Sequence, residues 1–483
     1  MRARSGLLLA ALTVLAAILR FSTLHVQSFW FDEAVTVRLL HGSFGHMLSS
    51  IGGSESTPPL YYALAWVWTR VFGHGEFGLR SLSALAGTLF IPVAYAAGRE
   101  LVSRKTALVI AALATVNPLL IWYSQEARSY SLLLLFVGLS FWLFARQLHT
   151  PSDRTLVLWT IASALAIATH YFGAFVVAPE AVWLVLAAHD RRRPALAIAG
   201  LLVVGGALLP LLLRQRRLDL TSFITDSSKA KRGVLVAKQF VVGYSSPLTG
   251  AVVVAGAALI LVALALLYAR TGERERRGAR VAALIGVTAV AIPVVLALAG
   301  ADYLDTRNLL GAWLPLMLVP AIGLGARNAG RTGLVATAGL CAVGLFVTIA
   351  VFVNPAYQRD NNRGIADALG PVTVPRALVV TPVSASVPLS IYMQPFSKQT
   401  FPVKEIDLVA LPERSSVFSG AHAVKLPATP HQPPVAGMRI VGQRSTSTYT
   451  LIRFRSDKPV SIGPPGLLFN RLDPRQAAVL FQR

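Results

Sequence analysis

Apolar stretches long enough to cross a lipid bilayer recur along this chain, and they limit its fold more than any other feature. Runs near residues 6–24, 79–98, 106–124, 129–146, 155–173, 174–189, 194–213, 248–269, 280–300, 308–326 and 332–353 each approach the ~20 apolar residues a helix needs to span a hydrocarbon core. Lipid offers backbone amides no hydrogen-bond partners, so such runs must satisfy their own as helices. The expected fold is mainly α: a polytopic transmembrane helical bundle of about 11 spans. Composition agrees, since 54% of residues are hydrophobic and 14% charged, against about a quarter charged in soluble domains. Met1-Arg2-Ala3-Arg4 followed by Leu7 to Leu19 has the charge and length of a secretory signal. No small-x-small cleavage pattern precedes Arg20-Phe21, so the segment reads as an uncleaved first helix.

One shorter apolar stretch, Pro58 to Phe72, carries Tyr61, Tyr62, Trp66 and Trp68. It is short for a span, and its aromatic density suits the headgroup zone, so it reads as an interfacial helix. With that choice, Arg2/Arg4, Arg99–Lys105, Arg146/Arg154, Arg191–Arg193, Arg270–Arg280 and Arg327/Arg331 fall on one side of the membrane, whereas Arg38, Arg70, Arg80, Arg128 and Arg307 fall on the other. Cytoplasmic loops are the basic ones. The N-terminus is therefore expected in the cytoplasm, and the first loop, 25–78, outside. The net charge of +23 reads as this orientation signal and not as a nucleic-acid footprint. An outer loop at 214–247 breaks the rule, with Arg214, Arg216, Arg217, Lys229, Lys231, Arg232 and Lys238 against Asp219 and Asp226. Such a surplus suits a phosphate, anionic membrane lipids or plain solvation.

From Asn354 the spans stop. Short helices are expected at Asp360–Leu369 and Ser384–Met393, and strands at Arg376–Thr381, Met438–Ile440 and Thr446–Phe454. The chain thus divides into a membrane domain, 1–353, and a small extracytoplasmic α/β domain, 354–483. The single cysteine, Cys341, lies in an apolar run and reads as a packing residue.

Chemistry concentrates at Phe29-Trp30-Phe31-Asp32-Glu33, just beyond the first span. An acidic pair at a membrane boundary is costly to bury and marks a candidate site. It also fits the first turn of a helix, where acids cap the N-terminus. The two roles are compatible: Asp32 as general base towards a hydroxyl, and Glu33 orienting the groups around it. Glu126-Ala127-Arg128 sits in a tight outer turn, where the two charges could simply pair. There are no zinc-ligand spacings, Walker loop, G-x-G-x-x-G or G-x-S-x-G elements, so nucleotide-driven chemistry has no support.

Trp30-Phe31-Asp32-Glu33, Thr57-Pro58-Pro59-Leu60-Tyr61-Tyr62 and Phe77-Gly78-Leu79-Arg80 together resemble the first external loop of GT-C membrane glycosyltransferases. The similarity is to the family 39 branch of protein O-mannosyltransferases and aminoarabinose lipid A transferases. Ser124–Tyr130, Thr169–Gly173 and Tyr357–Leu369 match further segments of that group, so the resemblance runs along essentially the whole chain. It implies an inverting transfer of a sugar from a polyprenyl-phosphate donor to a glycan, lipid or protein acceptor, with Asp32 as base. By the same resemblance Arg128, His170, Tyr171, Arg307, Arg214, Arg216 and Arg217 are candidates for the donor phosphate. Tyr61, Tyr62 and Glu126 are candidates for the substrate, and a divalent metal is left open. The chain departs from the family at Arg307-Asn308-Leu309-Leu310-Gly311, where relatives often show Arg-Tyr-x-Leu-Pro, and at His170, where one branch has lysine. The rival reading is a transporter or flippase of lipid-linked saccharides. It would place ionisable residues at mid-membrane, and these spans are nearly free of charge.

Overall fold

The computed structural model describes residues 2–218, 228–397, 399–412, 433–468 and 471–483. Asp219 and Asp226 of the basic loop lie outside the described residues. Two compact units are present. One comprises Met1–Leu24, Leu39–Tyr244 and Leu248–Ile349; the other comprises His25–Arg38, Ser245–Pro247 and Ala350–Arg483. The last junction falls between Ile349 and Ala350. Residues 25–38, expected in the membrane domain, pack instead with the C-terminal unit.

The helices up to the last span are α1 (Arg2–Phe21), α2 (Phe31–His41), α3 (Phe44–Ser54), α4 (Leu60–Phe72), α5 (Glu76–Leu101), α6 (Arg104–Val116), α7 (Pro118–Ser124), α8 (Tyr130–His149), α9 (Asp153–Thr169), α10 (Ala174–Ala187), α11 (Arg192–Arg216), α12 (Lys229–Val242), α13 (Thr249–Arg270), α14 (Glu273–Leu298), α15 (Trp313–Gly325) and α16 (Gly330–Val353). Among the described residues eight are long and apolar enough to cross a membrane: α1, α5, α8, α11, α13, α14, α15 with its preceding 3-10 turn, and α16. A ninth forms if α6 and α7, bent by 59° at their junction, count as one. Of the eleven expected runs, eight pass by length and composition, or nine if that pair is one span. The runs at 155–173 and 174–189 are α9, with 17 residues, and α10, with 14. At a rise of ~1.5 Å per residue both fall short of a ~30 Å core. The break comes at His170, whose extended backbone ends α9 while its side chain accepts from the Phe172 N–H at 3.3 Å. Helix α4 has 13 residues, also too few to span.

The 59° bend has a local cause. Pro118 lacks an N–H, so the Ala114 carbonyl loses its helical donor. Asn117 takes the extended conformation favoured before proline and caps α7 through the Leu120 N–H at 3.1 Å. Arg20, fully buried at the end of α1, supplies the missing donors to Ala114 O and Thr115 O, each at 3.1 Å, and to Ser124 Oγ at 3.1 Å. Close helix approach elsewhere rests on small residues: a Cβ at Gly323 of α15 would lie 2.0 Å from the Ala263 carbonyl of α13.

In the C-terminal unit, α17 (Asn362–Leu369) and α18 (Ser386–Tyr392) accompany a five-stranded sheet. Its strands are β1 (Arg376–Thr381), β2 (Val403–Ala410), β3 (Arg439–Ser445), β4 (Thr450–Val460) and β5 (Ala478–Gln482), in spatial order β3-β4-β2-β1-β5. Only the β1–β2 pair is parallel, and α18 lies on its crossover. Alternate β1 residues serve opposite faces. Ala377 and Val379 join Ile406, Ile452 and Phe481, while Leu378 and Val380 join Ile365, Leu369 and Leu389 of the two helices.

Candidate active site

The acidic pair opens α2, with Trp30 in the capping position. The Trp30 carbonyl accepts from the Ala34 N–H at 2.9 Å, and Glu33 Oε2 accepts from the Trp30 N–H at 3.4 Å. Glu33 thereby makes the return half of a capping box and is fully buried. Asp32, one residue earlier, is partly exposed. Of the two carboxylates, Asp32 is the one solvent reaches, and Glu33 shapes the turn that carries it.

The helical unit holds a buried polar cluster drawn from α4, α11, the residues after α3 and the turns before α8 and α10. Arg128, between α7 and α8, places Nη1 2.8 Å from both carboxylate oxygens of Glu55, which follows α3; both side chains are buried. Glu55, a partner of Arg128, lies 73 residues away in the sequence. Tyr62 Oη lies 3.1 Å from Thr57 Oγ1, and burial pushes this phenol well above its usual 10. Tyr171 Oη donates to Gln215 Oε1 at 2.8 Å, and Gln215 Nε2 donates to Thr57 O at 3.0 Å. Tyr171, Gln215, Thr57, Tyr62, Glu55 and Arg128 therefore form one network. His170 is buried between Tyr130 and Phe172, ring centroids 5.7 and 4.9 Å away, within electrostatic reach of Arg128 and Arg307. Arg307 lies 3.6 Å from Asp305, and the Tyr123 and Tyr244 hydroxyls meet nearby, within the field of Glu126, Asp305 and Arg307.

Other candidates fall elsewhere. Tyr61 and Tyr62 are both fully buried, ring on edge at 5.4 Å. Glu126 is buried beside Tyr123, and its carbonyl accepts from the Arg128 N–H at 2.8 Å. Arg214, Arg216 and Arg217 point outward from the end of α11, while Gln215 between them turns inward. Two cations of the basic loop are structural: Arg232 forms a fork with Asp302, Nη1–Oδ1 2.8 Å and Nη2–Oδ2 2.6 Å, and Lys238 donates to Tyr244 O at 2.8 Å. Among the described residues no three His, Cys, Asp or Glu side chains gather in a way that could hold a metal.

Sequence reading missed Glu55, Gln215, Asp305 and Glu180. Glu55 and Asp305 carried a signal, each being an acid at the edge of an apolar segment. Glu180 is a fully buried acid within α10, where Trp159 Nε1 donates to it at 2.9 Å and Ser140 Oγ also donates. The helical unit is therefore less free of ionisable groups than the sequence suggested.

Residues 56–213 match the family described as dolichyl-phosphate-mannose-protein mannosyltransferase. That segment begins immediately after Glu55 and contains Tyr61, Tyr62, Glu126, Arg128, His170 and Tyr171; Asp32 lies before it. No curated protein matches this chain. Among solved structures, ArnT from Cupriavidus metallidurans, determined bound to undecaprenyl phosphate, has a TM-score of 0.54 at 13% identity, with 92% of this chain and 97% of that one covered. The oligosaccharyltransferase AglB from Archaeoglobus fulgidus, in complex with an inhibitory peptide and a dolichol-phosphate, has a TM-score of 0.47 at 14% identity, covering 80% of this chain and 63% of that one. A third of the chain, from α4 into α11, thus matches that family model, and the chain shares its fold along nearly its whole length with ArnT.

Proposed function

We propose that this protein transfers a sugar from a polyprenyl-phosphate donor to an acceptor hydroxyl on the extracytoplasmic face, with inversion and with Asp32 as general base. The observation that carries the reading is the division of labour in the first turn of α2: Glu33 is consumed by the helix cap, and Asp32 stays partly exposed. A partly exposed carboxylate at a helix start suits proton removal from an alcohol. The acceptor oxygen bonds to the anomeric carbon as Asp32 takes its proton. The bond from that carbon to the phosphate oxygen breaks on the opposite face, and the polyprenyl phosphate leaves with the electron pair. Charge builds on the departing phosphate, so cations there favour the transition state over the ground state. Arg128 and Arg307, with His170 and Tyr171, are the proposed donor-phosphate residues. Arg214, Arg216 and Arg217, exposed at the end of α11, suit anionic headgroups at the outer surface. The acceptor is a glycan, a lipid or a protein, and mannosyl donors come first for trial because the matching family is described by them.

The test is turnover by purified protein on a panel of polyprenyl-phosphate sugars, with and without divalent cations, comparing Asp32→Asn with wild type. Loss of a positioned base costs about 10²–10⁴-fold. Equal turnover by the variant would remove Asp32 from the mechanism.

A further inference from the structure

The segment that delivers Asp32 has no regular structure of its own from Ser28 to Trp30, yet the C-terminal domain contacts nearly every residue of it. Arg363 Nη2 donates to His25 O and Val26 O, both at 2.9 Å. The Arg359 N–H donates to Gln27 Oε1 at 3.0 Å. Ser28 Oγ donates to Asp360 O at 2.7 Å and accepts from the Asn362 N–H at 2.9 Å. Asn362 Nδ2, fully buried, donates to Phe29 O at 3.0 Å, and the Phe29 N–H donates to Tyr392 Oη at 2.6 Å. Beyond the acidic pair, Arg38 Nη2 donates to Ser390 Oγ at 2.5 Å. The Asp32 turn is therefore clamped on both sides, upstream by Arg359–Arg363 and Tyr392 and downstream by Ser390 of α18.

The clamp itself is anchored. Leu369 O, at the end of α17, accepts from Arg376 Nη1 at 2.9 Å and from Arg453 Nη2 at 2.8 Å, and Arg453 Nε donates to the buried Asp407 at 2.7 Å. Ile365 and Leu369 bury themselves against the sheet. A stabilising cap has no need to saturate one short irregular stretch with hydrogen bonds. A reacting carboxylate does need that, because catalytic groups work only when held within about 0.5 Å of the productive position, and an error near 1 Å costs about 10²-fold.

We infer that the C-terminal domain is the element that positions Asp32, with Asn362 and Tyr392 as positioning residues that act through the backbone of Phe29. The inference rests on the assignment of Asp32 as the base, and its test separates the two. Tyr392→Phe deletes one acceptor oxygen and keeps the ring beside Phe29; Ser390→Ala does the same for the downstream contact. In full-length protein in detergent, the peptide covering residues 25–38 should exchange its amide hydrogens about five- to tenfold faster in Tyr392→Phe, as expected for the loss of one hydrogen bond. On the polyprenyl-phosphate sugar turned over fastest in the panel, Tyr392→Phe should lower kcat at least about tenfold, with the donor KM within about twofold. An Asp32→Asn/Tyr392→Phe double variant should be no slower than Asp32→Asn alone, since a residue acting through Asp32 has nothing left to position. Unchanged exchange in both Tyr392→Phe and Ser390→Ala overturns the inference, as do fully additive losses of turnover. Full activity of Asp32→Asn instead removes the base, and the exchange result still decides whether the domain holds the turn.

Discussion

Asp302→Ala would strand a guanidinium in a nearly closed site. Arg232 and Asp302 meet in a two-pronged fork, with side chains 7% and 11% exposed. Asp302 Oδ1 also accepts from the Leu304 N–H at 3.2 Å, and Arg232 Nη1 also donates to Leu304 O at 3.0 Å. Removing one partner of a buried pair costs about 3–5 kcal/mol. Water reaches roughly a tenth of each side chain here, which argues for the lower end, ~3 kcal/mol. Asp302→Asn keeps an oxygen for the Leu304 N–H and for one guanidinium bond, losing mainly the charge, so about 1.5–2 kcal/mol is expected. Arg232→Met/Asp302→Leu leaves no orphan charge and should return to within ~1 kcal/mol of the native protein. The assay is thermal unfolding of the full-length protein in detergent at one scan rate, with the stability order double variant, Asn, Ala. Acid supplies an independent check. The guanidinium holds the Asp302 carboxyl below its ordinary 3.8, so between the folded and unfolded values only the unfolded chain takes up the proton. The pair's contribution is complete above about pH 4 and disappears as pH falls through the lowered value. Wild type and Asp302→Asn should therefore differ at pH 7 and converge in strong acid. If Asp302→Ala unfolds with wild type at pH 7, or the double variant is as weak as the sum of the singles, the pair is not coupled and the reasoning fails.

Two other predictions address the site and the topology. Arg128→Ala and Glu55→Ala should each cost about 3–5 kcal/mol, while their double replacement costs less than the sum; strict additivity in a double-mutant cycle would deny that the 2.8 Å contact carries energy. Ser54→Cys, made in a Cys341→Ala background, should react with a membrane-impermeant maleimide added to intact cells. Labelling only after the cytoplasmic side is opened would reverse the proposed orientation.

Strand β1 coincides with the strand expected at Arg376–Thr381, and α17 lies within the helix expected at Asp360–Leu369, because both patterns are written in neighbouring residues. Strand β2 was missed because Glu405 and Asp407 interrupt its apolar pattern. Both acids are buried in the sheet and answered from β4, by Arg455 at 2.5 Å and Arg453 at 2.7 Å. The runs at 155–173 and 174–189 had enough apolar residues, but the turn at His170 leaves the helices on either side too short.

The sequence alone settled the class of fold and the place of the acidic pair, since hydropathy over twenty residues and a cap at a helix start are local properties. It could not say which acid of the pair remains reachable, or that Arg128 answers to Glu55 and Arg232 to Asp302. Nor could it say that residues 25–29 are held by groups 332 to 363 positions further on. Those facts depend on which distant groups the folded chain brings within 3 Å of one another. Hydrogen bonds and ion pairs are decided at that range, and neither hydropathy nor spacing encodes it.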